Sequence, residues 1–411
     1  MPGRWRHLTV STAMVPLFLA ACGEAPPDPV VQHVSMNLTD ASAGFGLELV
    51  DRLLAAPDAG NVFISPLSAT LALSMAASAA RDDTQTAFLK TLGLDPTVDP
   101  STQARQTIDR LLQSDANAQL ELAQAVWAKK GLPLTPEYVA KLRSDYRAQI
   151  ANLDFTSPDA PNVVNRWVDN ATHHKIPQLV DSFDPATVAY LVNATYFHAL
   201  WATEFQTSSE PVDFHTFSGA TVSVPMMKRD ESVTELWTPD YIGEVLPYKG
   251  GRFSMVLLLP PKVLSPGGFT SLLTKTNWDQ ALGYLHNSVG PSLGGSCKPW
   301  ASGPDVHVDC DGSLVMPKFK LDYSANLLPS LVAMGMPVGD LSDICSGCFI
   351  SSVAQKTHLE VDEKGTTAAA ATGGSVATAL RIPTIVDHPF ALALIDNATD
   401  APLFLGAIGQ L

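Results

Sequence analysis

The chain divides into stretches of distinct periodicity. Apolar residues recur at helical spacing from Phe45 to Leu54, a run that stops near Pro57. Asn61–Ser65 (NVFIS) is a short strand-like run. Pro66, suited to a first helical turn, then opens PLSATLALSMAASAA, apolar on nearly every side and so expected to be a buried helix. A helix is expected over Thr84–Leu92, amphipathic helices over Thr135–Tyr146 and Asn162–Thr172, and an alternating strand over Leu120–Lys130. Thr187–Phe197 (TVAYLVNATYF) reads as a long apolar strand covered on both faces. Strands follow between Val212 and Leu259, among them VSVPMMKRD and RFSMVLLLP. Later come LVMPKFKLDYS (Leu314–Ser324), THLEVDE, FALALIDN and PLFLGAIGQL, all read as strands. Leu285–Asp311, rich in Gly, Ser and Pro, reads as an extended surface loop. Helices dominate early and strands late, which argues α+β rather than alternating α/β, and no internal repeat is visible.

One stretch fits neither period. Between two strand-like ends, Glu360 to Phe390, the middle from Thr366 to Ala379 holds only Thr, Ala, Gly, Ser and Val. It has no charge, no ring and no helical stripe.

Charge narrows the partners. The chain carries 26 Lys and Arg against 41 Asp and Glu, with no basic cluster, so nucleic acid is not expected to bind. Arg4 and Arg6 precede a short apolar run, too short to span a bilayer, which ends in Leu19-Ala20-Ala21-Cys22. Residues 1–21 therefore read as a signal peptide, with Cys22 as a bacterial-type lipidation site or as a chance cysteine after an ordinary signal. Lipid on Cys22 would anchor the protein in the cell envelope, with outer membrane or cell surface favoured and an extracellular location if it is shed. Residues 22–40, Pro-rich and then polar, read as a tether, and 41–411 as the folded domain.

Cys297, Cys310, Cys345 and Cys348 remain, an even number in an exported chain, and disulfides are the default. The simplest pairing is Cys297–Cys310 and Cys345–Cys348. The CSGC run is also compatible with a zinc half-site or a redox pair. No H-E-x-x-H, phosphate-binding loop or dinucleotide fingerprint is present. The adjacent His173 and His174 read as surface residues rather than joint metal ligands. No enzyme activity, cofactor or metal is expected.

The small-residue stretch resembles the hinge and reactive-centre loop of serpins. NVFISPLSATLALSM resembles that family's first conserved block, LVNATYFHALWATEF the strand leading to a buried Trp, and VPMM, MPKFK and HPFALALIDNATDAPLFLGAIGQL further blocks in order, so the likeness runs from about Ala41 to Leu411. The resemblance implies an α+β fold of three β-sheets with about eight or nine helices and an exposed loop. It implies a monomeric suicide-substrate inhibitor of serine proteases, trapped covalently when the cut loop inserts into the central sheet.

Residue by residue, the hinge is Glu363, Gly365, Thr366, Thr367, Ala368, Ala369 and Ala370, and Lys318 is the ion-pair partner of Glu363. Ser65, Ser68, Asn193 and Gln355 match the polar cluster where the sheet opens, and Trp201 the Trp at its top. Gln355 stands where the family often has a His, so pH sensitivity from that residue is not expected. Thr366, Ala368, Ala370, Thr372, Gly374 and Val376 share one strand face, and all are small or β-branched, as insertion requires. A charge there would be buried unpaired, at a cost of several kcal/mol. The expected reactive bond is Ala379–Leu380, which suits elastase-like or subtilisin-like proteases. Thr378 and Arg381 are alternatives, the latter for trypsin-like targets. A non-inhibitory serpin acting as a binding protein is the competing reading, which bulky or charged hinge residues would signal.

Overall fold

The computed structural model describes residues 37–56, 59–113, 115–208, 210–289, 299–301, 305–339, 341–346, 348–366 and 382–411. Three sheets, eight α-helices and one 3-10 helix are found among these residues. The largest sheet has ten strands. Its core runs Val62–Ile64, Ala401–Ile408, Phe390–Asp396, Phe253–Leu259, Ile242–Pro247, Met226–Trp237 and His307–Pro317. Every position of Phe253–Leu259, Phe390–Asp396 and Ala401–Ile408 is buried, so these strands are covered on both faces and can be continuous apolar runs.

A six-stranded sheet has the order Phe319–Asn326, Ala354–Val361, Gly365–Thr366, Ala189–Leu200, Ala118–Lys129, Gln149–Leu153. A two-stranded sheet pairs Val212–His215 with Thr221–Val224.

The helix Pro66–Ala77 lies between the two large sheets, touching Ala401–Ile408 and Ala189–Leu200. Ser65 caps it by accepting from Ser68 N, Pro66 fills its first turn, and eleven of its twelve residues are buried. That explains the missing stripe. The first helix, Asn37–Leu54, takes in residues 37–40, with Leu38 and Thr39 buried.

Several elements depart from the pattern reading. Leu314–Ser324 is not one strand. It breaks at Pro317, where Leu314–Pro317 pair with Met226–Arg229 in the ten-stranded sheet and Phe319–Asn326 pair antiparallel with Ala354–Val361 in the six-stranded one. Pro317 cannot donate a further ladder bond, and Lys318 N turns to Pro225 O at 3.0 Å. Pro225 splits VSVPMMKRD in the same way, between the two-stranded and ten-stranded sheets. Leu285–Asp311 is not all loop either. Residues 285–289 finish the helix Lys275–Val289, and 307–311 begin a strand. The helix Pro100–Leu111, capped by Asp99, buries Ser101, Gln103 and Thr107 beside Ala104, Ile108 and Leu111, so its inner face is only half apolar.

Candidate functional site: the hinge and the sheet it enters

The site is a turn between two strands. Ala354–Val361 runs into Asp362, whose Oδ1 accepts from Lys364 N at 2.9 Å and Gly365 N at 3.2 Å, while Asp362 N donates to Gly365 O. The chain then reverses. Thr366 pairs with Val361 on one side and Ala199 on the other, and Gly365 pairs with Leu200. The hinge is thus a strand start, wedged between Ala354–Val361 and Ala189–Leu200. Gly365 is required by contact, since a Cβ there would lie 2.2 Å from Ala199 O and 2.8 Å from Leu200 Cα. Thr366 is buried, and its hydroxyl meets Tyr248 OH at 2.7 Å. Burial pushes the Tyr248 phenol well above its ordinary pKa, so it is a neutral partner.

Trp201 holds the turn from above. Its main-chain N donates to Lys364 O at 2.7 Å, and its indole Nε1 donates to Asp362 O at 2.9 Å. The ring is stacked on Tyr248 at 4.5 Å. Trp201 is therefore both core and clasp.

Glu363 and Lys318 meet, Nζ to Oε1 at 2.9 Å, and Thr207 Oγ1 donates to the same oxygen at 2.7 Å. Burial alone would raise the Glu363 pKa, but the hydrogen bonds from Thr207 and Lys318 outweigh it and hold the carboxyl below its usual value. The crossing at Pro317 is what delivers Lys318 here, from one sheet to the edge of the other.

Ser65, Ser68, Asn193 and Gln355 form one network. Gln355 brackets the Ser65 peptide, Nε2 donating to Ser65 O at 2.9 Å and Oε1 accepting from Ser65 N at 3.1 Å. Ser65 Oγ donates to Leu403 O, and Ser68 Oγ to Asn193 Oδ1 at 2.5 Å. Asn193 Nδ2 is buried without a partner among the described residues. Trp201 is not part of this cluster. It follows Asn193 by eight residues, just past the end of the strand Ala189–Leu200, roughly 26 Å away at the strand rise. A cavity of about 490 Å³ opens beside the cluster, bounded by Leu191, Asn193, Val353 and Gln355, with Cys345 and Cys348 at its wall. Those two cysteines are joined by a disulfide, which occupies both thiols of the CSGC run.

Beyond residue 381 the chain re-enters the ten-stranded sheet. Thr384 and Ile385 pair in parallel with Leu314 and Val315, and Val386 N donates to Val315 O at 2.9 Å. The two ends of the 367–381 segment are therefore held in different sheets.

Thr367, Ala368, Ala369, Ala370, Thr378, Ala379, Leu380 and Arg381 lie outside the described residues, as do Cys22 and Cys297 and hence the expected Cys297–Cys310 pairing. His173 and His174 sit at the end of the helix Ala160–Ala171 and bond to different carboxylates, Glu121 at 3.1 Å and Asp169 at 2.7 Å. No group of three or more His, Cys, Asp or Glu able to hold a metal is found among the described residues, and no described helix is long and apolar enough to cross a membrane. Tyr248, Thr207 and Asp362 are site residues the sequence did not reveal. Each acts across a long sequence separation or through the main chain, so no local pattern marks it.

Comparison with known proteins agrees with this geometry. Residues 40–410 match the family described as "Serpin (serine protease inhibitor)". Leukocyte elastase inhibitor A of Mus musculus is 31% identical, covering 90% of this chain and 99% of its own length. Iripin-8 of Ixodes ricinus is 30% identical over 97% of this chain and all of its own. Among solved structures, the thermophilic serpin tengpin in its native state superimposes with a TM-score of 0.77 at 26% identity, covering 92% of this chain and 96% of that one. Its latent state gives 0.72. The chain belongs to the serpin family, described as serine protease inhibitors rather than enzymes.

Proposed function

We propose that this serpin is a suicide-substrate inhibitor, cut within residues 367–381, that traps its protease as the cut strand enters the six-stranded sheet. The observation that carries the reading is the hinge itself. Gly365 and Thr366 stand as a strand start with a ladder partner on each side, Val361 and Ala199. Continuing that register sets Ala368 beside Leu359 and Phe197, Ala370 beside Thr357 and Thr195, and Thr372 beside Gln355 and Asn193. Leu359, Thr357 and Gln355 are buried, so this face of the incoming strand would turn inward, where only small uncharged residues fit. Thr372 would bring a hydroxyl to the unpartnered Asn193 Nδ2.

The energy scale suffices. About ten new ladder bonds at ~0.5–1.5 kcal/mol each approach or exceed a typical domain stability of ~5–15 kcal/mol. The acylated protease is pulled with the strand and distorted, and the loss of one oxyanion donor alone slows turnover ~10²–10³-fold. The uncut form is accordingly kinetically held.

Ala379–Leu380 is the proposed bond, with Thr378 and Arg381 as neighbouring alternatives. Ala before the cut favours elastase-like or subtilisin-like targets, in keeping with the name of the mouse relative. Residues 1–21 are proposed as a signal, Cys22 as the lipid site, and 22–36 as the tether, shorter than the expected 22–40 because residues 37–40 belong to the packed first helix; this would place the inhibitor at a bacterial cell envelope.

A panel of elastase-like, subtilisin-like and trypsin-like proteases, run on SDS gels, tests this reading. The expected result is an SDS-stable complex with the first two and a released peptide beginning at Leu380. Cleavage without any stable complex would overturn it, leaving a non-inhibitory binding protein.

A further inference from the structure

The helix Pro66–Ala77 and the six-stranded sheet do not close completely on each other. Ser68, Ala69, Ala72, Leu73 and Ala76 fall on one face of that helix, and all but Leu73 are Ser or Ala. Such small side chains cannot bridge the layer. The cavity of about 490 Å³ is what remains between this face, the strand Ala189–Leu200 and the segment 341–355. Its volume lies within the ~300–1,000 Å³ of small-molecule pockets.

The far wall is held in place. Leu341, Ile344 and Cys348 are buried there, the Cys345–Cys348 disulfide ties the turn, and Asp343 N donates to Ala79 O at 3.0 Å. A wall tied in this way cannot simply collapse inward. A fixed apolar void forfeits packing contacts that a bound molecule restores.

The chemistry is graded from mouth to interior. Ser182, Asp184, Ser351 and Ser352 are exposed at the mouth. Val180, Phe183, Leu191, Leu341 and Val353 make the walls apolar. At the buried end, Gln355 spends its amide on Ser65 N and O, and Asn193 Oδ1 accepts from Ser68 Oγ. Asn193 Nδ2 is left buried with no partner among the described residues. Buried donors are rarely left unpaired, so this one calls for an acceptor. No Lys, Arg or His is among the described residues that line the cavity, and the one charged residue there is Asp184. An anionic ligand would be buried without a counterion and would meet a like charge on entry.

We propose that this cavity binds a neutral, mostly apolar small molecule whose single acceptor oxygen accepts from Asn193 Nδ2. The class is that of medium-chain alcohols and ketones, not of fatty-acid anions. The consequence rests on the inhibitor reading. The continued hinge register sets Thr372 beside Asn193, so the bound molecule and the inserted strand compete for one donor and one space. A loaded inhibitor would be cut more often without trapping its protease.

The side-chain amide resonances of Asn193 in the ¹⁵N-labelled full-length protein test the site, with 1-octanol as the probe. They should shift saturably with a Kd below about 1 mM, the scale set by nine heavy atoms of modest ligand efficiency. Octanoate, of the same chain length, should bind at least about tenfold more weakly. Ala72→Phe, which puts a ring into the cavity from the helix, should weaken octanol binding by at least about the same factor. A shift that does not saturate, equal affinity for octanoate, or unchanged affinity in Ala72→Phe each overturns the proposal. The two probe titrations use the unmodified protein, so they decide the matter even if Ala72→Phe does not fold. The competition is read separately, on protein cut within 367–381 by a metalloprotease. Loss of octanol binding after the cut supports it. Binding retained after the cut overturns the competition and counts against strand entry as far as Thr372, while the site in the uncut protein stands or falls on its own titration.

Discussion

Thr366→Arg isolates the first step of insertion. Thr366 is 3% exposed, and among the described residues its hydroxyl has one polar neighbour, the neutral Tyr248 phenol, and no carboxylate. An arginine in this slot would be a buried charge without a counterion, so the uncut variant would hold its hinge out of the sheet, and insertion would then have to bury that charge at ~3–5 kcal/mol. At 1.4 kcal/mol per tenfold, insertion would slow by roughly a hundred- to a few-thousand-fold. Acylation involves residues 367–381 and should be unaffected. The acyl-enzyme would then hydrolyse before the strand moves. The assay is the stoichiometry of inhibition with an elastase-like protease, together with SDS gels of the products. The variant should be cut at the same bond, with stoichiometry rising from near one to above about ten and little stable complex. If Thr366→Arg instead forms stable complex at unchanged stoichiometry, insertion does not begin at this hinge.

Other outcomes follow from neighbouring contacts. Gly365→Ala places a methyl against Ala199 O and the Leu200 main chain. It should expel the hinge from the sheet and raise protease susceptibility near Thr366, visible in limited proteolysis. Glu363→Gln should cost about 1 kcal/mol in urea unfolding, more than an average surface pair because Thr207 shares the site. Its folded pKa lies below the unfolded value of 4.5, so the wild-type contribution is present above pH 4.5 and is lost as pH falls through the lower folded value. The gap between the two proteins should close there. Gln355→Leu leaves Ser65 N unpaired in the interior, at about 1–3 kcal/mol, while Ser65 O keeps Ala69 N at 3.0 Å, and should lower stability without altering the cut bond.

Some of this was legible in the sequence for a physical reason. An inserting strand excludes charge and bulk, and that exclusion shows as composition between Thr366 and Ala379. The buried helix at Pro66 was legible from its uniform apolarity and its Ser-Pro start. Other features depend on contacts between distant segments. Nothing near Tyr248 marks its hydroxyl as the partner of Thr366, 118 residues away. Pro317 and Pro225 announce a break in a strand, yet only the two sheets reveal that each break carries the chain from one to the other. Glu235 and Glu244 read as ordinary polar positions of alternating strands until register sets them face to face. Helix Pro100–Leu111 has a capping Asp and a first-turn Pro, but Ser101, Gln103 and Thr107 share its buried face with Ala104, Ile108 and Leu111, so apolar residues mark that face only in part.

The central claim, that the loop is a strand held in reserve for the six-stranded sheet, is tested most directly by thermal unfolding before and after the loop is cut. A metalloprotease, which forms no acyl-enzyme, can cut within 367–381 and leave the two fragments associated. Insertion would add on the order of 10 kcal/mol of ladder bonds, which for a chain of this size raises the Tm on the order of 10–20 °C. A cleaved protein that unfolds at or below the temperature of the uncut one would contradict the account.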